Sequence, residues 1–141
     1  MLCRDLMKVS VKTVKAQSTV AQAAALMRDE QIGFVPVCDE ARKVVGTLTD
    51  RDIAVRVVAE RESTDQAVEH FMTRDVVGCR ADDEVGIAQD LMSALQISRI
   101  VCLNERGQLE GVISLSDVAQ LGQSADAATT LQSVSAREIH T

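Results

Sequence analysis

The stretch GTLTDRD at residues 46–52 returns 65 residues later as GVISLSD at residues 111–117, and both share the form Gly-x-x-[Ser/Thr]-x-x-Asp. The likeness extends outward from this pair. A shift of 65 residues superimposes residues 6–53 on residues 71–118 with 12 identities in 48 positions and no gap. Two tandem copies of one supersecondary unit, each too small to bury its apolar face alone, explain such a repeat.

Each copy carries the same order of secondary-structure signals. A short β-prone run comes first, at residues 11–14 and again at 76–79. An amphipathic helix follows, in which apolar side chains recur every three or four positions. Thr19 is predicted to cap this helix in the first copy, and Asp83 in the second. Two apolar runs joined by a polar turn then predict a hairpin, and a second helix ends the unit.

The predicted fold class is therefore α/β in the broad sense (α+β), built from two tandem β-α-β-β-α repeats. The chain divides into a first repeat with the N-terminal segment (residues 1–60), an inter-repeat linker (61–70), a second repeat (71–122) and a C-terminal tail (123–141). The tail is rich in Ser, Ala and Thr, and we expect a loose helix or disorder there.

Composition narrows the class of protein. The chain has 141 residues, with 15 Lys+Arg against 21 Asp+Glu and hence a formal net charge of −6. With two Phe, no Tyr and no Trp, it lacks both the positive charge and the stacking surfaces of a nucleic-acid binder. No run approaches the roughly 18 apolar residues of a membrane span, and the first residues do not resemble a signal peptide. We expect a cytoplasmic protein that binds neither nucleic acid nor membrane.

Three of the four cysteines are predicted to be core residues. They form no Cys-x-x-Cys pair, and His70 and His140 lie far from any ligand-like spacing, so the sequence predicts no metal site. Cys38, Cys79 and Cys102 lie inside Val/Ile/Leu runs. This placement is typical of small buried hydrophobic side chains rather than of a disulfide framework.

The Gly-x-x-[Ser/Thr]-x-x-Asp stretch has two interpretations. A Ser or Thr followed three residues later by an acid, where a strand passes into a helix, is an N-cap with a favourable charge in the first turn. The same groups also suit a nucleotide, because a hydroxyl and backbone N–H groups can receive a phosphate and a carboxylate can accept ribose hydroxyls. Arg51 and Arg99 would then supply positive charge beside the phosphate, although either one taken alone is better explained as a solvated surface arginine.

The tandem units, the IGFVPV segment at residues 32–37 and the two motif stretches resemble a pair of CBS domains, the module named after cystathionine β-synthase. The resemblance covers about residues 3–121. It implies a stand-alone regulatory binding module without catalytic residues, in which two repeats pack about a pseudo-two-fold axis through their sheets. In many members of the family, the two clefts left between the repeats hold adenosine nucleotides.

The resemblance implies that each cleft draws on both repeats. The first would combine Thr49, Arg51 and Asp52 with Val76, Val77, Ile97 and Arg99, and the second would combine Ser114, Ser116 and Asp117 with Val11, Lys12, Ile32, Gly33, Phe34 and Val35. In each cleft, the Asp is expected to bind ribose and the Ser or Thr to reach ribose or phosphate. Aliphatic side chains would sandwich the base, and the cations would neutralise phosphate.

The two clefts are not expected to be equivalent. The first has its polar residues in the form typical of the family, which favours a phosphorylated ligand there. In the second, Phe34 stands where the family often has a small residue, and its ring either stacks on a base or fills the place of one. The second repeat also departs from the family pattern, with Val101 in the position of Pro36 and Ser98 where a His often precedes the arginine.

Three functions remain open on the sequence. The first is a nucleotide-sensing module that requires no cofactor and binds AMP, ADP, ATP, NAD or S-adenosylmethionine, with occupancy changing its dimer geometry or its contact with an unidentified protein partner. The second is a ligand-free homodimerisation or interaction module in which both motifs only cap helices. The third, an enzyme, is disfavoured because the sequence offers no Ser/His/Asp or Cys/His set.

Overall fold

A computed structural model describes residues 1–121, and the chain divides into two compact units. The first-repeat unit comprises Val11–Val76 and Arg106–Gln108, and the second-repeat unit comprises Met1–Ser10, Val77–Glu105 and, among the described residues, 109–121. The tail expected at residues 123–141 lies outside the described residues. Within residues 1–121, no helix has the length and apolar character needed to cross a membrane.

Both units follow the predicted β-α-β-β-α order. The elements are α1 (Cys3–Leu6), β1 (Val14–Lys15), α2 (Val20–Glu30), β2 (Phe34–Cys38), β3 (Val44–Thr49), α3 (Asp50–Asp52), a π-helix (Ile53–Val58), a 3₁₀-helix (Val68–His70), β4 (Gly78–Cys79), α4 (Val85–Leu95), β5 (Arg99–Leu103), β6 (Leu109–Ser114) and α5 (Leu115–Ala119). The π-helix continues α3 without a break. The predicted α+β class and the tandem repeat are confirmed.

Each unit holds a three-stranded mixed sheet. The first-repeat unit has the order β1-β2-β3, with β1 parallel and β3 antiparallel to β2, and β4, β5 and β6 repeat this arrangement. The first strand differs from the predicted run over residues 11–14, since only Val14 and Lys15 find ladder partners, on Val37 and Cys38. Residues 11–13 therefore lie outside the sheet, because a β-prone run becomes a strand only where a neighbour offers hydrogen bonds.

Aliphatic side chains join each long helix to its sheet. In the first-repeat unit, Val20, Ala23 and Met27 of α2 belong to one core with Val35, Val37 and Leu48. In the second, Val85, Ala88 and Met92 of α4 share a core with Ile100 and Ile113. Helical spacing of three, four or seven residues places each helical trio on one face. Apolar branched side chains and methionine thus build both cores, as the near-absence of aromatic residues requires.

The two long helices begin differently. Thr19 forms the predicted capping box with Gln22: its Oγ1 accepts from the Gln22 amide at 3.1 Å, and Gln22 Oε1 accepts from the Thr19 amide at 2.9 Å. The prediction that Asp83 caps the second helix is wrong. The N-cap of α4 is Glu84, without a side-chain bond, and Asp83 Oδ2 accepts from the Arg80 amide at 2.8 Å instead. Its carboxylate therefore closes the turn that precedes the helix.

The same two helices end alike. The C-cap residues Gln31 and Gln96 both have left-handed backbone, with φ of 55°. Each amide turns back to carbonyls of the last helical turn. A left-handed residue is the common way to end a helix, although glycine usually occupies the position.

Three cysteine thiols meet in the core of the second-repeat unit. Cys79 Sγ lies 3.5 Å from Cys102 Sγ and 3.8 Å from Cys3 Sγ. Burial, together with the neighbouring Cys79, raises the pKa of Cys3 to about 12, and the hydrogen bond to Cys102 and burial raise the pKa of Cys79. Cys38, Cys79 and Cys102 are buried and free, which confirms their prediction as core residues, and Cys3 is buried and free as well. Within residues 1–121, no group of three His, Cys, Asp or Glu side chains is arranged to hold a metal ion.

A short segment ahead of each repeat makes a backbone bridge to a sheet edge. The Thr73 amide donates to the Thr47 carbonyl at 2.9 Å, and the Thr47 amide donates back to the Thr73 carbonyl at 3.0 Å. Lys8 and Val112 form the same reciprocal pair, at 2.9 and 3.0 Å. Residues 1–10, which precede the first repeat in the sequence, therefore belong to the second-repeat unit in the structure.

These bridges explain the glycine that opens each motif. At Gly46, an added Cβ would collide with Sδ of Met72. At Gly111, it would lie 2.8 Å from the carbonyl oxygen of Lys8 and 2.8 Å from Sδ of Met7. Both distances are far below ordinary van der Waals separation. The identical Met and Gly residues of the two copies thus arise from one packing contact made twice.

Gly111→Ala is expected to lower the free energy of unfolding by about 1–3 kcal/mol, because the new methyl group overpacks against a backbone carbonyl held in the bridge. Gly86→Ala makes the same change in α4, where a Cβ meets nothing within 4 Å. This control is expected to raise the free energy of unfolding by about 0.5–1 kcal/mol. Urea unfolding of the two variants beside the wild type measures both. A Gly111→Ala protein as stable as the wild type would contradict the packing account.

Raised thiol pKa values predict that the protein loses stability in alkali. Unfolded Cys3 gives up its proton near 9.0 and folded Cys3 near about 12. Its contribution to the free energy of unfolding is thus fully present below pH 9 and is lost as the pH rises toward 12. The loss is at most about 1.4 kcal/mol per pH unit for one thiol. Urea unfolding of wild type and Cys3→Ala at several pH values should give a shallower decline in the variant, and parallel declines would refute the assignment.

Candidate functional site

The two Gly-x-x-[Ser/Thr]-x-x-Asp stretches form the same reciprocal N-cap. Thr49 Oγ1 accepts from the Asp52 amide at 3.1 Å, while Asp52 Oδ2 accepts from the Thr49 amide at 2.9 Å. Ser114 and Asp117 repeat this pair of bonds, at 3.1 and 3.3 Å. Ser114 Oγ also lies 3.0 Å from Oγ of the exposed Ser116. Capping is therefore one role of both motifs.

The cap leaves each carboxylate with acceptor capacity. An ionised carboxylate offers about four lone-pair sites on its two oxygens, and the cap occupies one site on Oδ2. The side chains of Asp52 and Asp117 remain 17% and 13% exposed. A ligand hydroxyl can bind such a carboxylate without breaking the cap. Capping and ligand binding are therefore compatible roles rather than competing ones.

A cation that the sequence interpretation missed stands beside Asp52. Arg56, in the π-helix, places Nη2 3.5 Å from Asp52 Oδ1. Its Nη1 donates to the Phe71 carbonyl at 2.7 Å and to Thr73 Oγ1 at 3.2 Å. The four-residue spacing between an acid and an arginine on a helix was the available signal.

The predicted cations are exposed and loosely held. Arg51 makes its hydrogen bond through the backbone, where its amide donates to Asp50 Oδ1 at 2.8 Å. Arg99 Nη1 donates to the Ser98 carbonyl at 3.4 Å, near the outer limit of a hydrogen bond. Both guanidinium groups can therefore reorient toward an anion at little cost. On the second carboxylate, Lys8 Nζ lies 3.8 Å from Asp117 Oδ1.

Within each unit, the strand ladder sets which side chain stands beside the cap. Phe34, half-buried, lies opposite Thr49 in the β2–β3 pairing. Arg99 holds the matching place, opposite Ser114 in the β5–β6 pairing. The sequence interpretation placed Phe34 with the second motif and Arg99 with the first. The ladder instead defines their neighbours inside their own units, and the cleft assignments across repeats stay predictions.

Gly33 is held close to the start of α3. The Asp50 amide donates to the Gly33 carbonyl at 3.0 Å, and a Cβ on Gly33 would lie 2.7 Å from Asp50 Oδ2. The second repeat makes the same backbone bond, from the Leu115 amide to the Ser98 carbonyl at 2.8 Å. Gly33 therefore has a packing reason to be glycine, beside any contact with a ligand.

The remaining predicted site residues differ in exposure. Val35 is fully buried in its core, whereas Val77 is exposed and Val11 and Val76 are half-buried. Ile32 and Ile97 pack against the rims of their respective cores. Lys12 is exposed, with Nζ 3.7 Å from Glu30 Oε1. Exposed and half-buried side chains are available to a ligand, while the Val35 side chain serves the core.

The chain matches known proteins along most of its length. The family model of the CBS domain matches residues 3–59 and again 68–123. An uncharacterised 17.7 kDa protein of Acidianus ambivalens is 36% identical over 110 residues, which are 78% of this chain and, at just under two thirds, 66% of that protein. The CBS domain-containing protein YhcV of Bacillus subtilis is 31% identical over 138 residues, which are 97% of either chain.

A solved structure agrees with these matches. The CBS domain pair of protein MJ0100, in complex with 5′-methylthioadenosine and S-adenosyl-L-methionine, has a TM-score of 0.79 and 25% sequence identity, over 86% of this chain and 95% of that one. The resemblance read from the repeated motifs is therefore confirmed. With both copies of its repeat matched by the family model, the chain belongs to the CBS domain family.

Proposed function

We propose that this protein is a regulatory module that binds an adenosine-type ligand beside its capping carboxylates and signals occupancy to a protein partner or through a homodimer. The observation that carries the proposal is the pair of partly exposed Asp side chains, each fixed by a cap and still able to accept hydrogen bonds. The MJ0100 domain pair, at 25% identity, is described in complex with two adenosine-containing ligands. The proposal concerns binding rather than catalysis, in the cytoplasm.

A ribose fits the chemistry of these carboxylates. Its adjacent hydroxyls donate to one carboxylate, as in other nucleotide sites. Hydrogen bonds to a charged acceptor are worth about 1.5–3 kcal/mol each. Because the cap already orients Asp52 and Asp117, binding does not have to order these side chains. This preorganisation lowers the entropic cost of association.

We assign a phosphorylated ligand to the first motif. Arg51, whose side chain is exposed in the first turn after the cap, would neutralise the phosphate. The second motif offers a different set, in which Ser116 adds a hydroxyl beside Ser114.

A second candidate function is a ligand-free dimerisation or interaction module. Two observations favour it. Both motifs already satisfy their hydrogen bonds as caps. The helices also expose large apolar side chains, with Val55 and Val58 of the π-helix 49% and 64% exposed and Ile87 of α4 46% exposed. Apolar helix faces of this kind suit contact with another protein chain.

Thermal unfolding with AMP, ADP, ATP, NAD and S-adenosylmethionine tests the proposal. A ligand at 100 times its dissociation constant is expected to stabilise the native protein by about 2.7 kcal/mol. The 2′,3′-dideoxy form of AMP is the matched control ligand, because it lacks both hydroxyls that the carboxylate would accept. If none of the five ligands raises the melting temperature, the result would contradict the proposal and favour the ligand-free dimerisation or interaction module.

Asp52→Asn and Asp117→Asn identify the motif that binds. Asn keeps an acceptor oxygen for the cap and removes the charge, so each variant is expected to lose less than about 1 kcal/mol of unfolding free energy. The variant at the occupied motif is expected to bind AMP at least about tenfold more weakly, as measured by titration calorimetry. If both variants bind AMP as the wild type does, the carboxylates are caps alone.

A further inference from the structure

Arg56 connects two parts of the first-repeat unit that lie far apart in the sequence. Its guanidinium contacts Asp52 Oδ1 at 3.5 Å on one side. On the other side it donates to the Phe71 carbonyl at 2.7 Å and to Thr73 Oγ1 at 3.2 Å. We name residues 71–73 the exit segment, because the chain leaves the first-repeat unit shortly afterwards, at Val76.

The exit segment is firmly attached to the sheet. Thr73 exchanges two backbone hydrogen bonds with Thr47 of β3, and Met72, 7% exposed, packs against Gly46. Thr47 and Gly46 belong to the same motif stretch as Asp52. A shift in the exit segment therefore acts directly on the strand that ends at the cap.

The lengths of the Arg56 contacts show where the guanidinium is anchored. Charge-assisted N–H···O bonds are typically about 2.7–2.9 Å long. The bond to the Phe71 carbonyl lies in this range, whereas the separation from Asp52 Oδ1 exceeds it. Arg56 is thus held by the exit segment and reaches loosely to the carboxylate. Oδ1 is also the oxygen that the cap leaves unused.

We infer that Arg56 is a positioning residue that orients Asp52 for its ligand and transmits occupancy of Asp52 to the exit segment; the identity of that ligand rests on the proposed function. A ribose hydroxyl that donates to Oδ1 shares this oxygen with Arg56, since the oxygen has lone pairs for both. When the hydroxyl binds, the contact of the guanidinium with Asp52 changes, and with it the contacts of the guanidinium with the exit segment. Such a difference in contacts between bound and free states is what a ligand needs to shift a conformational equilibrium.

In the second repeat, a different side chain makes this connection. Leu121 stands 65 residues after Arg56 and carries no charge. The cation facing Asp117 is Lys8, whose side chain is 74% exposed and whose Nζ lies 3.8 Å away. Exposed pairs of this kind contribute little energy. Lys8 itself lies in the segment that bridges to Val112, so Asp117 contacts that segment directly, whereas Asp52 reaches residues 71–73 through Arg56.

Amide hydrogen exchange with AMP as the probe tests the coupling. In the wild type, saturating AMP is expected to change exchange at Thr47 and Thr73 by at least about fivefold. Arg56→Met is expected to weaken AMP binding by at least about fivefold and, at saturating AMP, to abolish the exchange response. Arg56→Lys keeps the positive charge but lacks the forked guanidinium. It takes the place of Arg56→Met in these measurements if the Met variant fails to fold.

Arg74→Met is the matched control. Arg74 also donates to a backbone carbonyl, from Nη2 to Glu69 at 2.9 Å, whereas the cation paired with Asp52 is Arg56. It is expected to leave the AMP response at Thr47 and Thr73 unchanged. If Arg56→Met at saturating AMP keeps the wild-type response, or if Arg74→Met loses it equally, Arg56 does not transmit occupancy.

A second arm needs no ligand. Asp52→Asn removes the charge that Arg56 faces, and the resulting change in exchange at Thr47 and Thr73 is expected to be about 1.4- to 5-fold larger in the wild-type background than in Arg56→Met. Equal effects in both backgrounds would overturn the coupling. Failure of AMP and the other adenosine compounds to bind the wild type would overturn the proposed function alone, since this arm still decides the role of Arg56.

Discussion

Both units depend on one contact, the backbone bridge between the edge strand of the sheet and the short segment that precedes each repeat in the sequence. Thr73 meets Thr47, and Lys8 meets Val112, through paired amide and carbonyl groups. Each bridge is possible only because the neighbouring residue on the strand is glycine, which lets a methionine of the segment lie against the backbone. The bridge also fixes the strand whose last residue caps the following helix, so the geometry of the cap carboxylate follows from it.

The cores show how a chain with two aromatic residues remains well packed. Valine, isoleucine, leucine and methionine fill the space between each helix and its sheet. In the second-repeat unit, three thiols occupy the centre in contact with one another, where larger side chains would overpack. Burial raises the pKa of Cys3, and the hydrogen bond to Cys102 together with burial raises the pKa of Cys79. Cys3 and Cys79 therefore remain small apolar thiols rather than reactive thiolates.

Sequence patterns predict the parts of this fold that depend on local order. The hairpins, the amphipathic helices and the Thr19 capping box rest on periodicity and on residues a few positions apart, and they stand in the structure. The strand near Val14 is shorter than predicted because its length depends on a partner strand. Asp83 resembles a cap but closes a turn, since one residue of shift in the helix start decides which role a carboxylate takes.

In the candidate site, too, local sequence spacing predicts some features, and others depend on the folded chain. The reciprocal caps at Thr49 and Ser114 follow from spacing alone. The contacts of Arg56 do not, because its strongest partner is a backbone carbonyl 15 residues away whose position only the folded chain defines. Resemblance to a family points to the residues that many members share. A side chain that acts through the carboxylate rather than on the ligand stands outside such a pattern.

The left-handed glutamines at the ends of α2 and α4 indicate how the two repeats arose. A left-handed conformation costs a residue other than glycine about 1–2 kcal/mol, and both Gln31 and Gln96 adopt it at the same place in their repeats. A glycine would relieve this strain in either copy, yet neither copy has one. Duplication of a single ancestral unit accounts for the coincidence, since the copies inherit an unfavourable backbone together with the side chains that tolerate it. The strained left-handed glutamines therefore indicate a common origin of the two repeats, as the shared motifs do.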